Sequence, residues 1–139
     1  MKNKILTVLC ILFGLMMINS GLNKFFNYMP MPEMSEEMMQ IIGSFMAIKW
    51  IFPLVAIIEI IGGALTAIPK TRALGALVIL PVMVGIIVHH LVHDLSGIGI
   101  ALILFAINIW VIVANWNKYQ PIIESEKNQI KEKSEPINS

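Results

Sequence analysis

The sequence predicts an all-α integral membrane protein, a four-helix bundle with a short amphipathic helix in its first outer loop. Three observations carry that prediction. Hydrophobic residues make up 57% of the chain and charged residues only 14%, against about 25% charged in an ordinary soluble domain. Mean hydropathy is +0.77. The apolar residues also fall into four blocks of spanning length, whereas a soluble core needs only stripes on amphipathic elements.

A bilayer core is crossed by about 20 helical residues. The first block, residues 5–22, carries no charge. It follows a basic start, as a signal peptide would, but it is longer than the usual apolar segment and no small-x-small cleavage pattern follows it. It therefore reads as the first span. The second block, residues 50–68, contains one charge, Glu59. The third, residues 73–91, is uncharged up to its histidines, and Pro81 within it predicts a kink. The fourth, residues 98–116, is uncharged. Buried strands are excluded because a lipid-exposed sheet edge would leave backbone groups unpaired.

Between the first two spans lies a long apolar loop. Pro30 and Pro32 interrupt helix there. Ser35 then offers an N-cap, with Glu36 and Glu37 in the first turn. Met38, Ile41, Ile42 and Phe45 follow at helical spacing. A short helix from Ser35 to about Ala47 is expected to pack its apolar face on the bundle.

Lysine and arginine set the expected direction. Lys2, Lys4, Lys70, Arg72, Lys118, Lys127, Lys131 and Lys133 share one side of the spans, while Lys24 and Lys49 lie on the other. Both termini are thus expected in the cytoplasm. Residues 1–121 read as one transmembrane domain and 122–139 as a disordered cytoplasmic tail. A net charge of +1 gives no footprint for nucleic acid. The single cysteine, Cys10, excludes an internal disulfide and a Cys-x-x-Cys centre.

Polar residues inside spans are costly and so point to function. Glu59 and Asn108 lie about 14–15 Å from the same outer side, counting 1.5 Å per residue. At that shared depth a protonated Glu59 is expected to hydrogen-bond to Asn108. A second cluster is expected near the outer surface, formed by Asn19, Asn23, Lys24, His90 and Asp94. His90 and Asp94 are four residues apart, as are His89 and His93, so each pair shares a helix face. Neither pair supplies the third or fourth ligand a metal site needs, and no metal is expected. The methionines of the loop are soft ligands, but nothing in the sequence fixes them around an ion.

Three segments carry a family resemblance. They are Gly21-Leu22-Asn23-Lys24-Phe25 with the loop Met29-Pro30-Met31-Pro32, then Pro53 through Glu59 to Gly62-Gly63, then His90-Leu91-Val92-His93-Asp94. Together they make residues 5–121 resemble the DoxX family of small bacterial four-helix membrane proteins. The family pattern falls on Lys24, Glu59, His90 and Asp94; His89 and His93 stand outside it. The resemblance implies a multi-pass protein of the bacterial cytoplasmic membrane. Some relatives are subunits of a thiosulfate:quinone oxidoreductase, and others associate with membrane enzymes handling sulfur stress and superoxide.

The chain carries no cysteine pair, flavin motif or nucleotide loop, so no intrinsic cofactor is expected. Redox chemistry would need a partner protein or a quinone dissolved in the lipid. Three readings follow: an accessory subunit of a membrane redox system, a binding or transport module for a small molecule or protons, and a structural anchor or assembly factor. The bilayer is a partner in each, and self-association into a homo-oligomer is compatible with all three.

Overall fold

The computed structural model describes residues 2–134, excluding the side chains of Lys2 and Glu126. Helix is the only regular secondary structure among them. The elements are α1 (Lys2–Phe26), α2 (Glu36–Ala47), α3 (Ile51–Ala67), α4 (Arg72–His93), a 3-10 turn (Leu95–Gly97), α5 (Ile98–Ala114) and α6 (Trp116–Ser134). Helices α1, α3, α4 and α5 form an up-down-up-down bundle in which α1 packs on α3, α3 on α4, α4 on α5, and α5 back on α1.

Helices α1 and α4 are each long and apolar enough to cross a membrane, as is α5 together with the turn before it. Helix α3 has 17 residues, about 25 Å at 1.5 Å per residue. It meets α2 at 86° across a short break. The protein is a multi-pass membrane protein, and its outward apolar side chains, among them Leu12, Leu15, Leu54, Ile61, Leu74, Leu102 and Ile103, form the lipid-facing surface. Trp50 and Trp116 are exposed at helix ends, where an amphipathic ring suits the membrane interface.

Close helix approach depends on small residues. A Cβ added at Gly14 would lie 2.5 Å from the Gly63 carbonyl oxygen, and one at Gly63 would lie 2.7 Å from that of Gly14. The α1–α3 crossing is therefore backbone against backbone, as small residues permit in membranes. Gly62, on the neighbouring face of α3, makes room for the Ile79 side chain of α4. The core then fills with Phe13, Met17, Ile79 and Met83 in one cluster and Cys10, Ala76 and Val111 in another.

Helix α2 forms as its sequence dictates. Ser35 is the N-cap, and its hydroxyl accepts from the Met38 N–H at 3.2 Å. Met38 is buried and Ile41, Ile42 and Phe45 are half-buried, so the expected face is the one turned inward.

The expectation of a disordered tail from residue 122 is corrected in part. Helix continues through α6 to Ser134, and residues 135–139 lie outside the described residues. The segment is rich in Lys, Glu, Gln and Ile, which tolerate helix well. Its start is anchored by the buried Tyr119, whose hydroxyl donates to the Ala73 carbonyl at 2.6 Å. Burial pushes the Tyr119 hydroxyl pKa up.

Candidate functional site

The polar residues of the bundle separate into two groups, one at each end. At the end where α1 finishes and α3 begins, Glu59 is 1% exposed. Its partner is Lys24, not Asn108. Lys24 Nζ lies 2.7 Å from Glu59 Oε2, the only ion pair among the described residues. Ser20, one helical turn before Lys24, completes the group: its Oγ accepts from Lys24 Nζ at 3.0 Å and donates to Glu59 Oε1 at 3.4 Å. Helix α1 runs to Phe26, so Lys24 lies on a continuous helix and its four-carbon stem reaches back towards the bundle interior.

Asn108 is fully buried but faces elsewhere. Its Nδ2 donates to the Ala76 carbonyl at 3.1 Å, and its Oδ1 has no partner among the described residues. The expected Glu59–Asn108 bond is therefore replaced by an ion pair and by a side-chain tie between α5 and α4. Matching depth did not mean matching direction: Glu59 faces α1, and Asn108 faces α4.

The expected outer cluster divides into three. Asn19 and Asn23 fasten the loop after α1. The Tyr28 hydroxyl donates to the Asn19 carbonyl at 2.9 Å and touches Asn19 Oδ1; Asn19 Nδ2 donates to Met29 Sδ at 3.3 Å; the Met29 N–H donates to Asn23 Oδ1 at 2.9 Å. Lys24 belongs with Glu59. His90 and Asp94 close the end of α4.

The His90 Nδ1 lies 3.0 Å from the Asp94 carbonyl oxygen. A carbonyl only accepts, so Nδ1 carries the proton and a neutral ring keeps Nε2 as its acceptor. Asp94 Oδ1 accepts from the Ser96 N–H at 3.0 Å and caps the following turn. That hydrogen bonding holds the Asp94 carboxyl below its ordinary pKa. Gly97 is required beneath the ring, because a Cβ there would collide with His90 Cε1.

Some of these groups border an open chamber of about 600 Å³. Lys24, Ser20 and Glu59 form one wall and His89 and His90 another; Phe45, Phe52, Val55, Val82 and Ile86 supply apolar surface. Phe45 of α2 roofs it, edge-on to both Phe52 and His89 at ring separations of 6.3 and 6.2 Å. Pro81 and Gly85 border it and are themselves exposed, and a Cβ added at Gly85 would meet no atom within 4 Å. The chamber is thus open beside α4.

His89 lines this chamber although the family pattern does not include it. Its ring sits 5.2 Å from that of His93 and 5.6 Å from that of His90. Among the described residues no three His, Cys, Asp or Glu side chains are placed to hold one metal ion.

At the opposite end, Arg72 is 6% exposed. Its Nε donates to the Thr66 carbonyl and its guanidinium to Thr7 Oγ1, each at 3.4 Å. From the sequence Arg72 reads only as part of a charged link; in the structure Gly75 keeps the α3–α4 turn tight around it, since a side chain there would strike the Thr66 backbone.

The family model for DoxX matches residues 5–94 of the chain. No curated protein and no solved structure matches it significantly.

Proposed function

The chain belongs to the DoxX family, and on that premise we propose that its function resides in the Lys24–Glu59 chamber. The chamber binds the polar head of a lipid-soluble small molecule, and the protein acts as an accessory component of a membrane redox system. One observation carries this reading: a buried carboxylate, paired with a lysine, forms the wall of a cavity that opens between lipid-facing helices. A purely structural ion pair needs no cavity beside it.

The chemistry of the walls suits a quinone-type carrier. Its ring would lie against Phe45, Phe52 and Val55, with a carbonyl oxygen accepting from the third N–H of the Lys24 ammonium. A reduced carrier's hydroxyl would donate to the free Nε2 of His90 or to Glu59. Such a molecule arrives through the bilayer, which fits an opening bordered by Pro81 and Gly85. The chain contributes binding and orientation; electrons come from a partner enzyme. The eight-to-two distribution of Lys and Arg supports an orientation in a bacterial inner membrane with both termini on the cytoplasmic side and the chamber nearer the outer face.

The test is extraction in mild detergent followed by mass spectrometry of the molecules that copurify. The expected result is a quinone-class molecule near one per chain in the wild type, lost in Glu59→Gln while the helical content and melting temperature are retained. Full occupancy in Glu59→Gln, or wild type that carries no small molecule and complements a deletion strain no better than the variant, would overturn the proposal.

A further inference from the structure

A second cavity of about 320 Å³ adjoins the chamber. Ser20, Lys24, Ile42, Phe45 and Phe52 line both, so the two meet on either side of these residues. The outer one, here the vestibule, differs in its polar lining: Lys24, Lys49, Asn23 and Asn27.

Its hydrogen-bonding capacity is lopsided. An ammonium has three N–H groups, and Lys24 uses two on Glu59 and Ser20. Lys49 has no side-chain partner among the described residues, nor does the Asn27 amide. Asn23 spends its oxygen on the Met29 N–H, and its Nδ2 stays unused. Four residues with an unused donor therefore border one space, Asn27 and Lys49 at its exposed edge, and no carboxylate lines it. With Glu59 counted against Lys24, the charge of Lys49 is left unbalanced.

Backbone conformation singles out the same place. Among the described residues only Asn27 (φ 47°) and Lys49 (φ 56°) combine a side chain with left-handed backbone, and both line the vestibule. Each follows a helix end, where this conformation is common, and Asn suits it. Lys does not, since the usual occupants are Gly and Asn. A lysine at position 49 is worse for the backbone than the alternatives, so its ammonium needs another reason.

We infer that the vestibule is an anion subsite, beside the carrier's place in the chamber, that holds the anionic oxygen head of an amphiphile, a carboxylate or phosphate, on Lys49, Asn27 and Asn23. It goes beyond the chamber reading above and leaves the third N–H of Lys24 to the carrier. A single negative charge balances the Lys49 ammonium, and the apolar body lies along Phe45 and Met46. The same head chemistry is offered by a free amphiphilic acid and by an anionic phospholipid.

The experiment uses the full chain in nanodiscs of phosphatidylcholine. A photoreactive sixteen-carbon fatty acid and its methyl ester are compared as probes, on wild type and Lys49→Asn. In a parallel arm the nanodiscs contain phosphatidylglycerol, and retained lipid is read by native mass spectrometry. Asn suits the left-handed position, so Lys49→Asn should fold at least as well as wild type. The acid should label the wild type about tenfold better than the ester, and Lys49→Asn should abolish that preference. Displacement of the acid by phosphatidylglycerol assigns the head to a lipid, and indifference to it assigns the head to a free acid. Both support the subsite. Equal labelling by acid and ester, or an acid preference that survives in Lys49→Asn, overturns it while leaving the chamber reading intact. Absence of labelling by either probe, with no retained lipid, overturns the subsite as well.

Discussion

Each end of the bundle buries a cation, and the two are treated differently. Lys24 meets a carboxylate beside two cavities, under a helix joined to α3 by a left-handed lysine. Arg72 meets only neutral oxygens, Thr66 O and Thr7 Oγ1, in a packed corner sealed by Tyr119. A polar group that serves packing is surrounded by protein and satisfied by backbone. One that serves binding keeps space beside it and donors in reserve. The contrast supports the proposal that a ligand binds at the Lys24 end, without reference to any relative.

The largest effect that separates the ends should come from Glu59→Leu. It strands the Lys24 ammonium, and breaking a buried pair costs about 3–5 kcal/mol. The lower end of that range applies because the Lys24 side chain keeps 22% exposure. Unfolding in mixed micelles should show the loss. Arg72→Met should cost far less, within about 1 kcal/mol, because an apolar side chain of similar volume replaces a cation held only by long bonds to neutral oxygens. Equal losses in the two variants would erase the distinction between the ends.

Tyr119→Phe should cost about 1 kcal/mol for one buried hydrogen bond to a backbone carbonyl, and should leave probe binding at the other end untouched. Hydrogen exchange at the α4 amino end reads the first effect and photolabelling the second. Gly97→Ala should act in the opposite pattern. The new methyl displaces the His90 ring from beneath the chamber, lowering ligand labelling severalfold while global unfolding changes little.

The smallest effect is the pH response of the turn after α4. Asp94 has a depressed pKa because it accepts from Ser96. The cap is present above the ordinary carboxyl pKa and is lost as pH falls through the lower, folded value. Amide exchange at Ser96, corrected for intrinsic rate, should therefore accelerate only in acid below about pH 3.9. Acceleration beginning near neutrality would contradict this assignment.

The bundle was legible in the sequence because three spans are long uncharged runs and the other holds a single charge, Glu59, and because Ser35 followed by Glu36 and Glu37 marks a helix start with few alternatives. The site was legible only in part. Counting residues gives depth along a helix but not the direction in which a side chain points, so Glu59 and Asn108 could be ranked together and still face different neighbours. Lys24 was placed outside the membrane because the apolar run ends at Leu22. A signal was present: Ser20, Gly21 and Lys24 lie on one face of α1, and a small residue flanked by polar ones at helical spacing marks a packed polar seam. The vestibule could not be read at all. It depends on a left-handed turn at Lys49 and on the 86° angle between α2 and α3, which no local pattern specifies.

The central claim is that the chamber beside Glu59 holds a ligand. Gly85→Leu tests it most directly, because Gly85 lines the chamber and a Cβ added there meets no atom within 4 Å. Leucine also favours helix over glycine by about 0.8 kcal/mol. Native mass spectrometry of the gently extracted protein, alongside its melting temperature, is the measurement. The account predicts that the copurifying small molecule disappears in Gly85→Leu while the melting temperature is unchanged or higher. A variant that folds as well and retains its bound molecule at wild-type occupancy would contradict it.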